Sequence, residues 1–114
     1  MLAVIFELEP IAESKQQYLD IAAALGPELH EIDGFISIER FESLSQPGKL
    51  LSLSFWRDEA AISTWRNLEQ HRAAQQAGRN QLFRDYRLRV AAVIRDYGLE
   101  RRETAPGDSQ DFHL

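Results

Sequence analysis

Two side chains in the stretch LLSLSFWRDEAAISTWRNLEQH, residues 50–71, have chemistry suited to a small-molecule site. His71 carries an imidazole, which gains and loses its proton near neutral pH and can act as a general base. Trp65 carries a flat apolar indole that can wall a ligand. Both tryptophans of the chain, Trp56 and Trp65, lie in this stretch. Positions six apart on an ideal α-helix differ in direction by about 120°. Trp65 and His71 therefore converge on one pocket only if the helix breaks between them, and Asn67 to Gln70 is only a fair helical continuation. The ordinary alternatives stay open: a tryptophan on an apolar stripe is core, and a histidine near a helix end is surface.

Other chemistries find no support. There is no glycine-rich phosphate loop, no G-x-S-x-G and no pair of histidines at metal-ligand spacing. The chain has no cysteine, which excludes disulfides, thiolate metal sites and a cysteine nucleophile. No metal is expected. A formal net charge of −5 argues against binding nucleic acid through its phosphates. No apolar run is long enough for a membrane span, and no basic segment followed by an apolar stretch marks a secretory leader. The expectation is a cytoplasmic protein with no membrane or nucleic-acid partner.

The elements that must hold these residues follow from periodicity. At 114 residues and 44% hydrophobic content, one domain is expected. Leu2 to Glu9 alternates as a strand, closed by Pro10. Ser14 to Ile32 reads as a helix, with Ser14 as cap, Gln17 three residues later, and Tyr18, Ala22, Leu25, Leu29 and Ile32 as its stripe. Gly26-Pro27 predicts a kink, and Asp33-Gly34 a stop with Gly34 left-handed. Phe35 to Glu42 and Leu50 to Trp56 alternate on either side of Gln46-Pro47-Gly48 and read as a hairpin. Asp58 caps a second helix bearing Ala61, Ile62, Trp65 and Leu68. Asn80 to Tyr86 reads as a short helix with Leu82, Phe83 and Tyr86 inward, and Tyr86 to Tyr97 as the last strand.

The order strand–helix–strand–strand–helix–strand is the ferredoxin-like split βαβ arrangement, an α+β class with helices on one face of an antiparallel sheet. The other face must meet water or a second subunit. If it carries Phe35, Phe41, Trp56 and Val93, it is too apolar for a small monomer. A homodimer with sheets face to face is therefore expected. The domain takes in residues 1–98. Residues 99–114, including His113, form a polar tail, either poorly ordered or an arm on a partner.

With these elements in place, the short first strand and long helix, then DGFISIERFES, KLLSLSFWRDEAAISTWR, an H-x-x-x-Q segment and YRLRVAAVIRDYG resemble the antibiotic biosynthesis monooxygenase family. The resemblance covers roughly residues 2–98. It implies a dimeric α+β barrel. It also implies a choice among activities: oxidation of an aromatic or quinol-like substrate by dioxygen without a cofactor, haem binding and degradation, or a non-catalytic binding or stress-response module.

For the first activity the implied roles are His71 as catalytic base and Trp65, Phe83 and Tyr86 as the substrate wall. Arg87, or Arg66 or Arg89 in its place, stabilises the substrate anion. Against the haem type stand the absence of asparagine from LAVIFELE on the first strand and the short spacing from Trp65 to His71.

Overall fold

In the computed structural model, residues 1–75 and 82–109 are described, the side chains of residues 69–75 excepted. Strand β1 spans Leu2–Pro10, a 3₁₀ turn Ala12–Ser14, helix α1 Lys15–His30, β2 Phe35–Glu42, β3 Leu50–Trp56, α2 Glu59–Gln75 and β4 Phe83–Ala92. The four strands form one antiparallel sheet in the order β2-β3-β1-β4. This is the expected ferredoxin-like α+β fold.

Register decides which residues meet the helices. Leu2, Val4, Phe6 and Leu8 of β1 stand opposite Trp56, Ser54, Ser52 and Leu50 of β3. These residues share the helix side. Val4 and Trp56 pack with Leu29 of α1 and with Ala61 and Ile62 of α2, while Leu8 and Leu50 pack with Tyr18 and Ala22 of α1. The α1 stripe thus buries Tyr18, Ala22, Leu25 and Leu29 as its spacing predicts.

The expected faces of β3 are reversed. Its apolar set, Leu51, Leu53 and Phe55, points away from the helices, while Leu50, Ser52, Ser54 and Trp56 are buried beneath them. Trp56 is 0% exposed and Phe35 packs against its cluster, so neither belongs to the open face. Phe41, opposite Leu51, does lie there. The serines are tolerated inside because a hydroxyl can find a partner. Ser54 Oγ accepts the indole N–H of Trp56 at 2.9 Å.

Three local expectations change. Ser14 makes no side-chain cap bond, since a 3₁₀ turn closed by Ser14 N–H to Ile11 O (2.7 Å) already leads into α1. Helix α1, as expected, continues through Pro27 rather than stopping there.

At the start of β4 there is strand where a helix is expected. Glu9 pairs with Asp85 but Pro10 with Phe83, so Arg84 is an extra residue in a β-bulge. The bulge sets Phe83 and Tyr86, three apart, on the same side of the strand, and that spacing imitates a helix. Asn80 and Gln81 lie outside the described residues. Strand β4 stops at Ala92 rather than Tyr97 because β1 runs out. The last tie is Val93 N–H to Met1 O at 3.0 Å.

Candidate active site

One end of the helix side is held by a polar clamp. Gly34 follows α1 with φ +95°, and a Cβ there would lie 2.9 Å from Ala61 Cβ and 3.3 Å from the Arg57 guanidinium carbon. Only glycine satisfies both the left-handed backbone and the close approach. Gly34 O accepts the Arg57 N–H at 2.7 Å. Arg57 then donates through both terminal nitrogens to the two Asp33 carboxylate oxygens, at 3.0 Å each, and through Nε to Asp58 at 3.0 Å. The other Asp58 oxygen accepts the Ala61 N–H at 3.0 Å and caps α2 as the sequence predicts.

These bonds explain the charge states. Hydrogen bonds from Arg57 hold the Asp33 carboxyl below its ordinary range. The Ala61 N–H, and after it Arg57, does the same for Asp58. Arg57 is correspondingly pushed further above its usual value. The clamp joins the end of α1, the start of β2, the end of β3 and the start of α2.

Behind the clamp lies a row of rings. Trp56 meets Phe35 edge-on at 5.2 Å and Trp65 in a stacked pair at 6.4 Å with 28° between the planes. His30 meets the far side of Phe35 at 5.2 Å. Trp65 is partly buried on the inner side of α2.

A second group of rings gathers toward the other end of the same side. Phe83 lies 5.9 Å from Phe6, 5.6 Å from Tyr18 and 6.1 Å from Tyr86. Tyr86 is also 5.8 Å from Phe6. Between the two ring groups runs the helix-side row of β4. Val90, Leu88 and Tyr86 stand opposite Val4, Phe6 and Leu8 and are 43%, 52% and 63% exposed. The result is an exposed apolar row along the edge strand β4, with Phe83 and Tyr86 at one end and Trp65 on the same side of the sheet.

The expected site residues divide. Trp65, Phe83 and Tyr86 share the helix side, though Trp65 belongs to one ring group and the other two to the second. Arg87 stands opposite Glu7 on the other face of the sheet, because neighbours on a strand alternate. Its place on the strand is thus on the face opposite the row Tyr86, Leu88 and Val90. Arg87 borders a hollow of about 210 Å³ together with Tyr86, Lys49 and Arg89, and Lys49 and Arg89 both bind Glu7. Arg66 reaches Ser63 on the α2 surface at 3.5 Å. A further groove of about 560 Å³ runs between Ile32, Arg57, Ala60, Thr64 and Leu68, and neither concavity includes Trp65.

The side chain of His71 lies outside the described residues, as does His113. The α2 backbone is helical without a break from Glu59 to Gln75, so the interruption that would realign positions 65 and 71 is absent. The sequence reading missed the clamp, although its two signals, Asp33-Gly34 and Arg57-Asp58, are both turn and cap residues. It also did not single out Leu88 and Val90, which alternation on the last strand sets on one face.

A family model described as antibiotic biosynthesis monooxygenase matches residues 1–77. The chain belongs to this family.

Among its relatives is a protein of Pyricularia oryzae named jasmonate monooxygenase ABM. It is 47% identical over 114 residues, which are 97% of this chain and 53% of that protein. The chain spans about half the length of the curated relatives it matches. Among solved structures, Rv0793 from Mycobacterium tuberculosis superposes with a TM-score of 0.70 at 21% identity, covering 85% of this chain and 98% of that one. The haem degrader MhuD of the same organism, solved with two haems in its active site, superposes with a TM-score of 0.64 at 18% identity, covering 86% and 100%. These two likenesses establish the fold. Among the described residues, no helix is long and apolar enough to cross a membrane, and no group of three or more histidine, cysteine, aspartate or glutamate side chains could hold a metal.

Proposed function

We propose that this chain is a monooxygenase that uses dioxygen, and no cofactor, to oxidise a small aromatic or quinol-like substrate on the apolar row along β4. The observation that carries this reading is the row Tyr86, Leu88 and Val90, left exposed on the side of the sheet that the helices otherwise cover and flanked by aromatic rings. Flat apolar substrates pack on such a row. Phe83 and Tyr86 form the wall, with His71 as the base that removes the substrate proton; because α2 is unbroken, Trp65 stands about 120° around the helix from position 71 and is not assigned a place beside that base.

The chemistry suits a protein that supplies only a base and a dry surface. Deprotonating a phenol or an activated methylene gives an electron-rich anion that dioxygen can oxidise directly. When a methylene becomes a carbonyl, one oxygen atom enters the product and the other leaves as water. The substrate provides all four electrons, so no reductant is required. The working unit we propose is a homodimer, since the open face of the sheet carries Leu51, Leu53, Phe55 and Phe41.

Oxygen uptake with a panel of anthrones and hydroquinones tests the reading. Turnover without added reductant, falling by about 10²-fold or more in His71→Ala, is expected for loss of a general base. Uptake at the uncatalysed rate across the panel would overturn it.

The 47% identical relative favours a second reading, a jasmonate-like carboxylate substrate. Hydroxylating an unactivated C–H bond consumes two electrons from outside the substrate, so a product formed only when a reductant is supplied distinguishes this reading from the first. For the haem alternative, the row offers apolar surface but, among its described residues, no imidazole. His71 is the axial ligand this alternative would use. A Soret shift on haemin titration that disappears in His71→Ala would favour it.

A further inference from the structure

A substrate that gives up a proton leaves an anion to be held, and the arginine expected to hold it stands on the wrong face. Arg87 lies opposite Glu7, across the sheet from the row Tyr86, Leu88 and Val90. Within that row one side chain carries a hydrogen-bond donor, the phenol of Tyr86.

The Tyr86 ring is already placed. Its centroid lies 5.8 Å from that of Phe6 and 6.1 Å from that of Phe83, edge to face in both pairs. Its backbone N–H is tied to Asp85 Oδ1 at 2.9 Å, beside the bulge that turns Phe83 and Tyr86 to one side. Among the described residues nothing bonds its hydroxyl, and the residue is 63% exposed. A donor oriented in advance loses little further freedom when it meets a ligand oxygen. Tyr18 is the contrast. Its ring also meets Phe83, at 5.6 Å, but it is buried under α1 as core.

Away from Tyr86 the row is hydrocarbon. Leu88 and Val90 carry it about 14 Å from the bulge, at roughly 3.4 Å per residue. The surface thus has a polar head at one end and an apolar body behind it.

We propose that Tyr86 Oη donates a hydrogen bond to the substrate oxygen that becomes anionic, so that the substrate lies with this oxygen at the bulge and its apolar body along Leu88 and Val90. Phe6, Phe83 and Leu8 surround the head with apolar groups, where a bond to a charged oxygen is stronger than in water. The inference rests on the reading of the row as the substrate surface. It narrows the substrate class to phenols and enols whose oxygen sits at one end of a flat apolar body.

Two ligands separate the donor from the surface. 4-Nitro-1-naphthol is ionised at neutral pH, and 1-nitronaphthalene has the same rings and nitro group without the oxyanion. Binding of each to the full chain is measured by equilibrium dialysis. We expect Tyr86→Phe to raise the dissociation constant of the naphtholate roughly 10- to 100-fold, the loss of one hydrogen bond to a charged group, and that of nitronaphthalene by less than about twofold. A ring that merely packs would affect both ligands alike. Leu88→Asn should weaken both, which locates them on the row. Tyr18→Phe and Arg84→Gln should leave the naphtholate bound as in wild type. A naphtholate indifferent to Tyr86→Phe, or one lost in Tyr18→Phe or Arg84→Gln instead, overturns the donor and leaves the row standing as the substrate surface. If neither ligand binds, or both ignore Leu88→Asn, the row and the donor fall together.

Discussion

The two ring groups on the helix side are built to different standards. Around Trp56 the indole is fully buried, its N–H is bonded to Ser54, and the neighbouring turn is fixed by Gly34, Arg57, Asp33 and Asp58. Around Phe83 the rings touch edge to face, but Tyr86 is 63% exposed on an edge strand that begins with a bulge. The first arrangement spends its contacts on rigidity. The second leaves aromatic surface uncommitted, as a ligand wall requires. Trp65 stacks on the rigid group and is itself only partly buried.

If that division is right, equal truncations at the two ends give unequal results. Trp56→Ala removes a completely buried ring and should cost about 3–5 kcal/mol, a large part of the roughly 5–15 kcal/mol that holds a domain of this size. Tyr86→Ala removes a mostly exposed ring and should cost under about 1 kcal/mol, while reducing turnover or ligand binding. Chemical denaturation of both variants checks this. Similar losses of stability would mean that the Phe83 end is core, not site.

The next test is at the clamp. Gly34→Ala imposes a left-handed backbone on a residue with a side chain and drives its Cβ against Ala61 at 2.9 Å. The expected cost is about 1–3 kcal/mol, seen as a lower denaturation midpoint. Gly48 supplies the control. It also has positive φ, +89°, but a Cβ there meets nothing within 4 Å. Gly48→Ala should therefore cost the backbone part alone. Equal effects at the two glycines would show that the contact with Ala61 relaxes freely and that the clamp is less rigid than its bonds suggest.

The legibility of these features in the sequence follows the same division. Strand and helix identity came through because period-two and period-3.6 patterns report burial along a single element. Side choice on β3 did not. LLSLSFW advertises Leu51, Leu53 and Phe55 as its apolar face, and nothing local reveals that a tryptophan bonded to a serine fills the core while the leucines turn to the open side of the sheet. The bulge at Arg84 was likewise hidden, because the register shift is made by pairing with Glu9 and Pro10, more than seventy residues away. The site residues split for the same reason. Phe83 and Tyr86 are neighbours through the bulge, and Arg87 leaves the row through simple alternation.

The smallest effect expected concerns the clamp's charges. Asp33 and Asp58 are held below the ordinary carboxylate range by Arg57 and, for Asp58 chiefly, by the Ala61 N–H. A group with a depressed folded-state value stabilises the fold above its unfolded value, about 4, and that contribution disappears as pH falls through the depressed value. All three side chains are substantially exposed, so solvent screens the pair and the contribution is slight. Arg57→Gln should therefore lower the thermal midpoint a little at pH 7, and the gap from wild type should narrow as the buffer is taken from pH 5 toward pH 2. Adding salt at pH 7 should narrow it as well. A gap that stays constant through the acid range would assign the role of Arg57 to packing of its guanidinium plane against Gly34, 3.3 Å from where a side chain would stand there, and not to its charge.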